Sequence, residues 1–218
     1  VAQSVAEEKS NRVMELLITA ATPRQLLAGK VLGTGAAGLT QYVAVLVVAA
    51  IAFVAVAPVQ EALGMGASGS GIELPDIAPA SVLAFTGFFF GGFLLYSTLY
   101  AAAGSMVSRI EDVQQAAGPL LLLAMAGYFA AVTAINVPDA EWVALASLVP
   151  FFSPYLMPIR MLLGTPPGAG EVLLALALLA AAVVIAIWIA ARIYSAGVLL
   201  YGQRVGVREV LRATRVAR

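Results

Sequence analysis

The residues able to do chemistry in this chain are few, and they gather in three places. Histidine and cysteine are absent. That removes imidazole acid–base catalysis, thiolate chemistry and the usual zinc and copper ligands. One compact polar cluster is Arg109, Glu111 and Asp112. A membrane-embedded enzyme would need such a group at an interface. The same residues fit a helix start, because Ser108-Arg-Ile-Glu111 has capping-box form and Asp112 falls in the first turn, where the helix dipole favours acids. The structural use is the better fit. A second cluster is Glu7, Glu8, Arg12 and Glu15, with Lys9 among them. A third place is Pro154, Pro158 and Arg160.

Two glycine motifs invite nucleotide binding and fail on context. Gly64-Met-Gly66-Ala-Ser-Gly69 matches GxGxxG, but that fingerprint needs a strand before it and a helix after it. Gly29-Lys30 ends like a phosphate-binding loop, yet Arg24 stands at the earlier glycine position and Val31 replaces the magnesium-holding hydroxyl. The chain itself is expected to hold no cofactor, no metal and no nucleic acid.

The elements that position these residues belong to a membrane. Hydrophobic residues make up 61% of the chain and charged ones 11%, less than half the ~25% of a soluble domain. A bilayer core needs about 20 apolar residues in a helix. Four stretches qualify: Leu32–Ala57, Ala80–Met106, Ala116–Asn136 and Val172–Tyr194. If these spans alternate, eleven of the twelve Lys and Arg residues fall on one side and only Arg160 on the other. The positive-inside rule then makes the Lys/Arg-rich side cytoplasmic, with both ends of this chain inside. No ionisable residue lies near the middle of any span, which disfavours a proton- or sodium-coupled carrier.

Trp142–Leu163 is a further apolar stretch, but it carries Pro150, Pro154, Pro158 and Arg160. Proline at those spacings breaks a helix. The stretch reads as two short helices that dip into the outer leaflet and return, or as a hairpin lying on the membrane surface. The Pro58–Pro79 segment, rich in glycine and serine, reads as an external loop. Gly29/Gly33 and Gly87/Gly91 have the small-residue spacing of close helix packing, within the subunit or between two copies.

Residues 1–31 form a cytoplasmic segment. Val13, Leu16, Leu17 and Ala20 make one apolar stripe at helical spacing, with mixed charge around the rest. Ser4-Val-Ala-Glu7 has capping-box form, or Val1–Val5 ends a preceding span. Thr22-Pro23 predicts an N-cap followed by proline in the first turn. The fold class is therefore all-α: a polytopic helical membrane protein. Four complete spans and a hairpin at 142–165 make up residues 32–195. A cytoplasmic amphipathic helix precedes them, and residues 196–218 form a basic cytoplasmic tail.

Three separated motifs carry a family resemblance. The first is Glu7-Glu8-Lys9-Ser10-Asn11-Arg12-Val13-Met14-Glu15-Leu16-Leu17, followed by Thr22-Pro23 and Gly29-Lys30-Val31-Leu32-Gly33. The second is Glu111-Asp112 with Gln114-Gln115 and Pro119. The third is Ser153-Pro154-Tyr155-Leu156-Met157-Pro158-Ile159-Arg160. Together they resemble type-2 ABC transporter permeases, and the sodium-efflux-type branch in particular. The resemblance implies the permease subunit of an ATP-driven exporter in the cell membrane, not itself an enzyme. It would work with a second permease subunit and a cytoplasmic ATPase that holds ATP and magnesium. Glu7, Glu8, Arg12 and Glu15 would engage that ATPase. Glu111 and Asp112 would form a cytoplasmic junction. Pro154, Pro158 and Arg160 would shape the outer gate. Such permeases have six spans, so this chain is expected to be the C-terminal part of one. A non-transporting scaffold subunit and a membrane-embedded enzyme are the alternatives.

Overall fold

A computed structural model describes residues 2–10, 22–62, 79–107, 109–163 and 165–199. Its helices are α1 (Ala2–Ser10), α2 (Pro23–Ala62), α3 (Pro79–Met106), α4 (Val113–Ala134), α5 (Glu141–Ala146), α6 (Ser153–Leu163) and α7 (Ala169–Leu199). A 3-10 turn, Ile110–Asp112, leads into α4. Four of these helices, α2, α3, α4 and α7, are long and apolar enough to cross a membrane. Their large apolar side chains point outward: Val54 is 74% exposed and Leu83 75%. In water that surface would be a severe liability; in hydrocarbon it costs nothing.

The start of α2 follows the sequence expectation and adds a partner. The Thr22 N–H donates to Gln25 Oε1 at 2.9 Å, and the Gln25 N–H donates to Thr22 Oγ1 at 3.4 Å. This is a reciprocal capping box with proline in the first turn. Both side chains are exposed, so the cap acts locally. Thr22→Ala should cost about 1 kcal/mol of helix-end stability. The expected readout is faster amide exchange over residues 24–27, with the amides of α3 unchanged.

The expected loop at Pro58–Pro79 begins later, because α2 continues through Pro58 to Ala62. Proline near a helix end removes one backbone bond and leaves the rest of the ladder intact. In α4 the chain likewise continues through Pro119. Ser4 lies inside α1, not at its start, so the Ser4–Glu7 pattern does not cap it. The stripe at Val13–Ala20, residues Arg12 and Glu15, Ser108, Gly64–Gly69 and the tail from Leu200 lie outside the described residues.

Helix α3 is the centre of the bundle. Gly87 and Gly91 face α7: a Cβ at Gly91 would sit 2.5 Å from Leu179 Cδ2. This glycine pair is therefore a packing seam within the subunit. Phe88, Leu95, Met157, Leu179 and Val183 form the core along it. Helix α2 is tied to α3 by the Tyr42 and Thr86 hydroxyls, 2.7 Å apart, and by Tyr42 stacked on Phe89 at 4.4 Å between ring centres. Val5, Val31, Ala101, Ala102 and Ala190 meet at one end of the bundle. That end gathers the start of α2, the end of α3 and the last third of α7. Lys30, Arg109 and Arg192 therefore share it, and Arg192 stacks over Trp188 at 3.7 Å.

Candidate functional site

The opposite end of the bundle carries α5 and α6. The break between them falls at residues 147–152, which contain Pro150. Helix α6 then runs eleven residues through Pro158, longer than proline spacing alone suggests. Pro154 lies in its first turn, where a missing N–H is no loss.

Consecutive residues of α6 seat on two different spans. A Cβ at Gly92 of α3 would stand 2.7 Å from both Cβ and Cγ of the Pro154 ring. A Cβ at Gly127 of α4 would stand 2.8 Å from Tyr155 Cδ2. Only glycine permits either approach, so the hairpin is wedged between α3 and α4. The Tyr96 hydroxyl donates to the Phe151 carbonyl at 3.0 Å and holds the turn before α6. Pro158 is buried and lines a small cavity with Leu46, Val82 and Phe85.

Arg160 closes the arrangement. Its Nη1 donates to Ser147 Oγ at 2.8 Å, and its Nη2 to Glu171 Oε2 at 3.3 Å. Nη1 also pairs with Glu171 Oε1. The Ser147 hydroxyl in turn donates to the Ala144 carbonyl at 2.8 Å. Arg160 thus joins the end of α5, the end of α6 and the first turn of α7. Its side chain is 11% exposed and that of Glu171 31%. Both charges also suit their helices, a cation at the C-terminal end of α6 and an anion at the N-terminal end of α7. A second strap lies beside it, the Thr165 N–H donating to Asp139 Oδ1 at 2.7 Å. Glu171 was not legible as a site residue, although one signal pointed to it. Among the described residues Arg160 is the lone basic residue at this end, and it needs an acid.

At the α1 end, Ala2 and Ala6 pack on Val113, Tyr100 and Val107. A Cβ at Gly104 would lie 2.4 Å from the Ala2 carbonyl oxygen, so α1 rests backbone to backbone on α3. Helix α1 also touches the 3-10 turn. Glu7 and Glu8 fall on the C-terminal half of α1, and Glu111 and Asp112 on that turn. Glu7 and Glu111 are exposed. Asp112 occupies the N-cap position of α4 without a side-chain cap bond. The structure therefore sets Glu7, Glu111 and Asp112 on neighbouring elements. It keeps them at the other end of the bundle from Pro154, Pro158 and Arg160.

An all-helical bundle of four membrane-crossing helices, with a broken helical hairpin at one end, is the architecture of a polytopic membrane protein. The family model described as ABC-2 family transporter protein matches residues 1–192, and the chain belongs to that family. It is 37% identical over 219 residues to the uncharacterized protein YhaP of Bacillus subtilis, a match covering all of this chain and 51% of that protein. It is 26% identical over 212 residues to the uncharacterized protein MJ1024 of Methanocaldococcus jannaschii, covering 97% of this chain and 48% of that one. The chain thus spans about half the length of these relatives. No solved structure matches.

Proposed function

We propose that this chain belongs to the permease subunit of an ATP-driven exporter, with α1 and the residues after it engaging a separate cytoplasmic ATPase. ATP and magnesium would be held by that ATPase. Membership of the ABC-2 transporter family supports a membrane component of a transporter. The observation that carries the coupling role is the seat of α1. A helix bearing Glu7 and Glu8 lies backbone to backbone on the central span and touches the turn that bears Glu111 and Asp112. A push on α1 would reach α3 without loss in flexible side chains.

On this reading the end with Lys30, Arg109 and Arg192 faces the cytoplasm of a cell membrane. Pro154, Pro158 and Arg160 then form an outer gate, held shut to α7 through Glu171. A second permease subunit completes the translocation path. The direction of transport is outward.

The test is co-purification of the full-length protein with its candidate ATPase, comparing wild type with Glu8→Lys and Arg12→Glu. Wild type should retain the ATPase and stimulate its hydrolysis. Each charge reversal should weaken retention by about tenfold or more, the scale of truncating a few charged contacts. Equal retention and stimulation in all three would end the coupling assignment, as would failure of the wild type to bind.

A further inference from the structure

A threonine inside a helix can settle its hydroxyl on its own backbone, one turn back. Four threonines here do so. Thr34 donates to the Lys30 carbonyl at 2.7 Å, Thr40 to Ala36 at 3.0 Å, Thr86 to Val82 at 2.7 Å and Thr133 to Phe129 at 2.9 Å. Thr98 of α3 does not. It is 1% exposed. Among the described residues, its Oγ1 is the one buried side-chain polar atom with no hydrogen-bond partner. Water cannot stand in, because the atom is closed off and the helix lies in hydrocarbon. The residues around Thr98 bury it already, so anything that packs on from outside leaves this unchanged.

The place of Thr98 accounts for the exception. The glycine notches set a parallel register between α3 and α7, Gly87 against Leu176 and Gly91 against Leu179. Seven residues further along each helix, Thr98 stands level with Ala186; four further again, Ala102 stands level with Ala190. Ala102 and Ala190 do pack in one cluster. Ala186 is buried with Leu95 and Val183 in the cluster above it. Thr98 therefore lies in the α3–α7 seam, between leucine-packed turns and alanine-packed ones. Its Cβ is branched, so the hydroxyl cannot turn toward the Leu94 carbonyl without swinging the methyl group as well. In a close-packed seam a swinging methyl group needs a neighbour to give way.

We propose that Thr98 is a conformational catch in this seam. With α7 seated against α3, the hydroxyl is shut in without a partner. When α7 draws back, the side chain turns and donates to the Leu94 carbonyl. The penalty of the unpaired hydroxyl falls on the seated arrangement alone, and it shifts the balance toward the parted one by about tenfold. Both arrangements are populated for that reason. Valine has the same shape as threonine and carries no such penalty. This inference concerns the α3–α7 contact alone and does not depend on the ATPase reading.

The experiment uses the full-length protein in nanodiscs. Thr98→Val should raise the Tm by about 2–4 °C. Thr86→Val is the control and should lower it, because Thr86 also meets the Tyr42 hydroxyl at 2.7 Å. Thr98→Ser has no methyl group to swing, so its hydroxyl reaches the Leu94 carbonyl in either arrangement. It should at least match the wild type despite the lost methyl group. The two arrangements are read by fluorine NMR of a trifluoromethyl tag on Ile187→Cys, beside Ala186, after replacement of any other cysteine. The otherwise wild-type protein should give two resonances, and Thr98→Val should shift their ratio about tenfold toward one of them. The proposal is overturned if Thr98→Val is no more stable than wild type, which would mean that the hydroxyl already has a partner. A clear loss of stability in Thr98→Ser overturns it too, since the methyl group is then not what holds the hydroxyl off. So does a single resonance without the Thr98 change, which would make the unpaired hydroxyl a fixed penalty and not a catch.

Discussion

Arg160→Met is expected to lower the stability of the bundle by about 2 kcal/mol, and Arg160→Glu by more. Removing one partner of a buried, hydrogen-bonded ion pair costs roughly 3–5 kcal/mol, because the other charge is left uncompensated. Here Glu171 is about one-third exposed, so water returns part of that. Ser147 Oγ also loses the donor it accepts from, while its own hydroxyl still donates to the Ala144 carbonyl. The reversal adds repulsion between two carboxylates. The double variant Arg160→Glu/Glu171→Arg should recover only part of the loss. It restores the attraction, but it places an anion at the end of α6 and a cation at the start of α7, against both helix dipoles. Thermal unfolding of the purified protein measures all three variants against the wild type. A stable Arg160→Met, or a double variant no better than Arg160→Glu, would show that the pair does not hold the hairpin to α7.

Gly104→Ala should be the most damaging of the glycine-to-alanine changes along α3, and Gly91→Ala milder. Both sites are crowded to a similar distance, so the neighbour's freedom decides. At Gly91 a methyl group meets Cδ2 and Cγ of the buried Leu179, at 2.5 and 2.9 Å, so a side chain has to shift but no backbone does. The gain in helix propensity, about 1 kcal/mol, offsets the rest. At Gly104 it meets the carbonyl oxygen and Cα of Ala2. Backbone cannot rotate aside, so α1 must lift as a unit and uncover Val5 from Ala101 and Ala102. Overpacking of this kind costs about 1–3 kcal/mol. Amide exchange over residues 3–8 should accelerate in Gly104→Ala and not in Gly91→Ala. Under the coupling reading, stimulation of the ATPase falls in the first variant only. Equal exchange in both variants would show that α1 does not rest on α3 through its backbone.

The spans were legible because hydrocarbon leaves no choice: a run of apolar residues long enough to cross must satisfy its backbone internally. Thr22-Pro23 was legible because a cap is a local event. Ser4-Glu7 has the same pattern and caps nothing, because α1 is already helical at Ala2. Arg160 stood out as the one base on its side, yet its partner lies eleven residues on across a turn, and spacing does not announce that contact. Gly104 could not be read at all, since its role is to lack a side chain where another backbone passes.

The two contacts that flank α3 differ in kind from the one along its length. At Gly92 the helix meets a proline ring and at Gly104 a backbone, and the two points are about 18 Å apart along the axis. Neither neighbour can yield by turning a torsion. The seam with α7 meets leucine tips, which can. Helix α3 is thus a connecting rod with stiff bearings at α1 and at the hairpin and a compliant one along its flank. Under the coupling reading, displacement applied at one bearing would be delivered to the other, while α7 would accommodate the stroke by shuffling rotamers.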